Sequence, residues 1–100
     1  LRFLPNPFWV PELKPLTGAD AAVSDWVLGQ DGAGEFVDRV TDLMVPVTEG
    51  YLREGRRYAT IAIGCTGGKH RSVAISQSLA ARLSTERVAT FVVHRDLGRE

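Results

Sequence analysis

One hundred residues make a single domain over 1–100, large enough for a modest core and too small for two. Hydrophobic residues at 44% and charged residues at 24% exclude a disordered chain, and twelve basic residues against twelve acidic ones exclude a surface that is basic throughout. The single cysteine excludes an internal disulfide, and no apolar run approaches the roughly 20 residues that span a bilayer, so the expectation is a cytoplasmic protein with no membrane contact and no metal site.

The chain starts without methionine on Leu1-Arg2-Phe3-Leu4, which reads as a first strand and as the start of a piece of a longer protein. Four of the five prolines follow between Pro5 and Pro15. Proline fixes its own φ and extends the residue before it, so this stretch is expected to be a stiff, non-helical loop. Thr17-Gly18-Ala19-Asp20 opens a short helix through Val23, Trp26 and Val27, which Gly29 and Gly32-Ala33-Gly34 break. Phe36, Val37, Val40, Leu43, Met44, Val47 and Tyr51 then recur at the spacing of one helix face. Pro46 lies inside that helix and should kink it, and Gly50 and Gly55 mark its end.

Tyr58-Ala59-Thr60-Ile61-Ala62-Ile63 reads as a buried central strand, and Arg87-Val88-Ala89-Thr90-Phe91-Val92-Val93 as the last one. Between them Val73, Ile75, Leu79 and Leu83 mark a third helix. Strands alternating with helices predict an α/β fold: a small layered sandwich with a mostly parallel sheet and a glycine-rich anion loop between strand and helix. Ligands bind such sheets beyond the carboxyl ends of the strands, so Pro5 to Trp9, Cys65 to Arg71 and His94 to Asp96 are expected to meet.

The loop carries the chemistry. Gly64, Gly67 and Gly68 can adopt backbone angles closed to other residues, so successive N–H groups can turn around an anion at the positive end of the following helix. Lys69, His70 and Arg71 add charge. The candidate phosphate or phosphosugar site is therefore Gly64, Cys65, Thr66, Gly67, Gly68, Lys69, His70, Arg71 and Ser72, with Asn6, His94 and Arg95 as contacts from the other two segments. The spacing does not fit a nucleotide P-loop, because only three residues separate Gly64 from Gly68 and His70 stands where magnesium needs a hydroxyl. A second reading stays open. Cys65, five residues, Arg71 and Ser72 reproduce a phosphatase loop in which Cys65 is the nucleophile and Arg71 the phosphate clamp, and Asp96 is the aspartate the topology brings near. A third is a structural oligomerisation module whose loop only binds whatever phosphate is present; independently, a lone cysteine at a strand end such as Cys65 is more often a small buried hydrophobe than a nucleophile. Arg53, Arg56, Arg57, Arg95 and Arg99 are the basic residues an RNA would use.

Two stretches resemble a known family. Arg2-Phe3-Leu4-Pro5-Asn6-Pro7 with Trp9, Pro11-Glu12-Leu13 and Pro15-Leu16-Thr17-Gly18, and the run from Ile61 to Val73, are similar to the C-terminal domain of the RapZ/YvcJ family of nucleotide-binding proteins, the RNase adapter proteins. The resemblance implies a non-enzymatic sensor and adapter, with ATP or GTP bound only by a preceding N-terminal domain and no cofactor here. It implies glucosamine-6-phosphate or a related phosphorylated ligand, a small regulatory RNA and an endoribonuclease as partners, and self-association. Through RNA decay the family regulates amino-sugar metabolism for the cell envelope. Cys65, Thr66, Gly67, Gly68, His70 and Arg71 match the family loop. Two departures are Phe8, where enterobacterial members have histidine, and the ending Leu97-Gly98-Arg99-Glu100 in place of a lysine-rich tail.

Overall fold

Three helices stacked around one face of the last of them make up the core of the computed structural model, which describes residues 1–56, 58–84 and 89–97. In chain order these are a single 3-10 turn over Pro7–Trp9, α1 (Ala21–Leu28), α2 (Ala33–Arg53) and α3 (Arg71–Leu83). α3 packs against both α1 and α2 and carries the most buried face of the three. Ile75 and Leu79 from α3, Val23 and Val27 from α1 and Ala33 and Val37 from α2 close the core, with Leu4 and Leu13 sealing it from the proline-rich segment. Each pair sits at i, i+4, so each helix offers one stripe to the others.

The expected α/β sandwich is not what forms: among the described residues there is no strand and no sheet. Leu1 to Leu4 is a turn, closed by the Leu4 N–H donating to the Leu1 carbonyl at 3.1 Å. Tyr58 to Ile63 and Ala89 to Val93 run without ladder pairing, and Tyr58, Phe91 and Val93 are each more than 85% exposed. Strand preference in β-branched and aromatic residues reflects packing against neighbours on a pleated surface, and here Tyr58, Phe91 and Val93 face solvent, while Ile63 packs against the helical core. The remainder of the expected last strand, Arg87 and Val88, lies outside the described residues. The proline-rich loop also differs in detail, since Pro7 starts a 3-10 turn capped by Asn6, whose Oδ1 accepts the Phe8 N–H at 3.1 Å. Proline suits that first position because its missing N–H would have had no partner there.

The helices themselves follow the sequence pattern. α2 runs through Pro46 for 21 residues and carries Gly50, expected at its end, inside its last turn; it stops at Arg53, just before Gly55. Gly55 takes φ 70°, its N–H reaches the Leu52 carbonyl at 3.2 Å and the Arg56 N–H reaches the Tyr51 carbonyl at 3.0 Å. These two bonds are a Schellman motif, in which glycine takes the left-handed position without steric cost.

Candidate functional site

The site is built where α3 begins. Gly67 and Gly68 take φ 81° and 68° in succession, turning the chain so that Cys65 faces the first turn of the helix. The Ser72 N–H donates to Cys65 Sγ at 3.3 Å, and the Ser72 hydroxyl lies 3.3 Å from the same sulfur. The sulfur thus occupies the focus of the loop's donors. Burial alone would raise the Cys65 thiol, but the bonds from Ser72 and Gly68, with the charge of Arg71, outweigh it and hold the thiol below its ordinary range. Cys65 is half-buried, while Thr66 and Gly67 face solvent.

The two residues at the head of α3 are turned the other way. Arg71 is 4% exposed, and its Nη1 donates to the Leu4 carbonyl at 2.9 Å while its Nε is buried without a partner. His70 is buried too, and Nε2 meets the Lys14 carbonyl at 3.2 Å. A carbonyl only accepts, so that bond puts the proton on Nε2. Both side chains tie the helix to the N-terminal segment. Lys69 and Ser72 stay beside the loop, and the Lys69 carbonyl accepts the Gly18 N–H at 2.9 Å.

Of the three segments expected to meet, two do so fully. The His94 to Asp96 segment reaches the loop: a side chain on Gly68 would put its Cβ 3.0 Å from the Asp96 Cβ and 3.3 Å from its Oδ2. Arg95 holds that carboxylate through Nε and Nη2 at 3.1 and 3.0 Å, and His94 Nε2 lies 3.4 Å from Gln77 Nε2 on α3. The N-terminal contacts with the loop and α3 come from residues before Pro5 and from Lys14 and Gly18, outside the expected Pro5 to Trp9 segment. The Leu1 nitrogen donates to the Gly64 carbonyl at 2.6 Å and Leu4 receives Arg71, whereas Asn6 caps its own 3-10 turn.

Gly18 is a residue the sequence reading assigned only to a turn. A Cβ there would lie 2.3 Å from the His70 carbonyl oxygen and 2.5 Å from the Ala74 nitrogen, so glycine is what lets the segment before α1 lie against the start of α3. Its signal was present as Thr17-Gly18-Ala19-Asp20, but a turn glycine and a close-approach glycine look alike in sequence. Among the basic residues, Arg53 ends α2 and Arg56 stacks over Tyr51 at 5.7 Å, while Arg57 and Arg99 lie outside the described residues. No group of three or more His, Cys, Asp or Glu that could hold a metal exists among the described residues, and no helix there is long and apolar enough to cross a membrane.

A family model described as the RapZ C-terminal domain matches residues 1–98. The chain is 63% identical over 100 residues to nucleotide-binding protein SCO1952 of Streptomyces coelicolor, covering all of this chain and 33% of that protein. It is 63% identical over 99 residues to nucleotide-binding protein Franean1_2060 of a Parafrankia strain, and 63% identical over 101 residues to nucleotide-binding protein CMS1991 of Clavibacter sepedonicus, covering 34% of each. The chain therefore spans about a third of the length of these relatives.

Proposed function

The chain belongs to the RapZ C-terminal domain family, and on that footing we propose that it is the ligand-sensing part of a cytoplasmic nucleotide-binding protein, taking a phosphorylated small molecule at the Cys65 to Ser72 loop. The observation that carries this reading is the loop itself, in which Gly67 and Gly68 take positive φ in succession and lead straight into the N-terminus of α3, with the Ser72 N–H turned into the loop. Donors aimed together at the positive end of a helix favour a phosphate group. An amino-sugar phosphate such as glucosamine-6-phosphate is the ligand class the family points to. RNA presentation to an endoribonuclease and self-association are the corresponding partner roles, and nucleotide binding belongs to the two thirds of the relatives this chain does not span.

The domain is proposed to bind without turnover. A phosphatase of the Cys-x5-Arg type needs its arginine fork free to take two phosphate oxygens, and Arg71 is buried with Nη1 committed to Leu4. Titration calorimetry with glucosamine-6-phosphate and inorganic phosphate tests the reading, with amide shifts of Gly67, Gly68 and Ser72 reporting where the ligand sits. Saturable binding that moves those amides and survives Cys65→Ser is expected. Binding that leaves all three unmoved, or hydrolysis of an aryl phosphate abolished by Cys65→Ser, overturns it.

A further inference from the structure

The Asp96 carboxylate sits on the very loop proposed to take an anion. It lies there because Gly68 has no side chain: a Cβ at that position would come within 3.0 Å of Asp96. Arg95 grips the carboxylate through both Nε and Nη2, in the bidentate geometry that guanidinium groups also use for phosphate. The Arg95 side chain is 83% exposed and the Asp96 side chain 39% exposed, so the pair is reachable from solvent.

We propose that Asp96 is a built-in competitor for the phosphate site, and that an incoming phosphate displaces its carboxylate and takes over Arg95 as a clamp. The inference rests on the loop being the phosphate site. Two anions held beside the same loop repel each other, and the effect weakens only slowly over the few ångströms separating neighbouring groups. Arg95, which pairs with the carboxylate, would serve the phosphate better, since phosphate offers more oxygen acceptors to the same fork. The ligand must therefore carry enough charge or enough further contacts to outbid a carboxylate already in place. Weaker anions are kept out, and the segment ending in Asp96 changes position between empty and loaded loops.

The probe is inorganic phosphate, titrated by calorimetry and by amide shifts into the wild-type chain and into Asp96→Asn. The substitution keeps the shape and removes the charge, so phosphate should bind about tenfold more tightly, with the Gly67, Gly68 and Ser72 amides moving in both proteins. Arg95→Ala should weaken binding, and the weakening should be smaller when Asp96→Asn is already present, because part of it comes from unmasking the carboxylate. If phosphate moves the loop amides with the same affinity in the wild type and in Asp96→Asn, the competitor is wrong and the loop reading stands. If phosphate leaves the loop amides unmoved in both proteins, the loop reading is wrong and the competitor falls with it.

Discussion

Gly18 leaves no room for even one carbon. The atoms that a Cβ would strike are backbone, the His70 carbonyl oxygen at 2.3 Å and the Ala74 nitrogen at 2.5 Å, so the clash is relieved only by moving α3 off its seat. Gly18→Ala should cost about 3 kcal/mol, at the upper end of what overpacking usually does, measured by urea unfolding. Gly64→Ala is the control: its Cβ would meet nothing within 4 Å and its φ is not positive, so it should stay within about 0.5 kcal/mol of the wild type. Cys65 makes the other residue-scale prediction. Its thiol is held low in the folded chain and returns to about 8.5 on unfolding, so between those two values the unfolded state binds one more proton. The contribution to stability is complete above the unfolded value and is lost as pH falls through the folded one. A pH titration of thiolate absorbance should therefore show a midpoint below that of free cysteine. Ser72→Ala should move it up, having removed the hydroxyl 3.3 Å from the sulfur. A midpoint at the free-cysteine value would mean that the loop donors do not act on the sulfur. The loop's position was legible from its glycines and basic run, but the inward turn of His70 and Arg71 was not. Which way a helix's first residues point depends on what packs behind it, here Lys14 and Leu4, far away in sequence.

At the scale of elements, the helices were legible because their information is local. Val23 and Val27, then Phe36 through Tyr51, then Val73 to Leu83 state a period of 3.6 within one window, and the positive φ of Gly55 ends α2 where a glycine was read as a stop. The strands were misread for the converse reason. Tyr58 to Ile63 has a strand's composition, but a strand is completed by a partner, and composition does not say whether one is there. Asp96 of the His94 to Asp96 segment reaches the loop as expected, although the sheet invoked to bring it there is absent among the described residues. α3 is the element on which the others depend, and Ile75 is fully buried at its centre between α1 and α2. Ile75→Ala should cost about 2–5 kcal/mol, the range for opening a cavity in a core, and in a chain of this size that is a large part of the total stability. Denaturant unfolding reads it as a lower midpoint. Breaking the exposed Arg82 to Asp38 pair that also joins α3 to α2, by Arg82→Ala, should change stability by under about 1 kcal/mol.

For the whole molecule, charge distribution governs the RNA contact proposed from the family. Twelve basic and twelve acidic residues leave no net field to draw a polyanion in, so attraction has to come from local clusters. The described ones are separate in the fold: Arg53 and Arg56 flank the end of α2, and Arg95 lies beside the glycine loop paired with Asp96. Arg53 and Arg56 are both exposed, and Arg56 lies over the Tyr51 ring, which leaves a short basic edge able to neutralise about two phosphates. Releasing that few counterions gives a slope of log affinity against log salt of only about −1.5 to −2, with weak binding by a single chain. Joining two chains would raise the affinity through effective concentration without changing either contact. A gel-shift titration over salt should therefore show weak, salt-sensitive binding, with Arg53→Glu and Arg56→Glu together abolishing it and Arg95→Glu having a smaller effect. Tight binding that ignores both salt and the α2 charge reversal would put the RNA on a different surface, held by stacking and hydrogen bonds instead of counterion release.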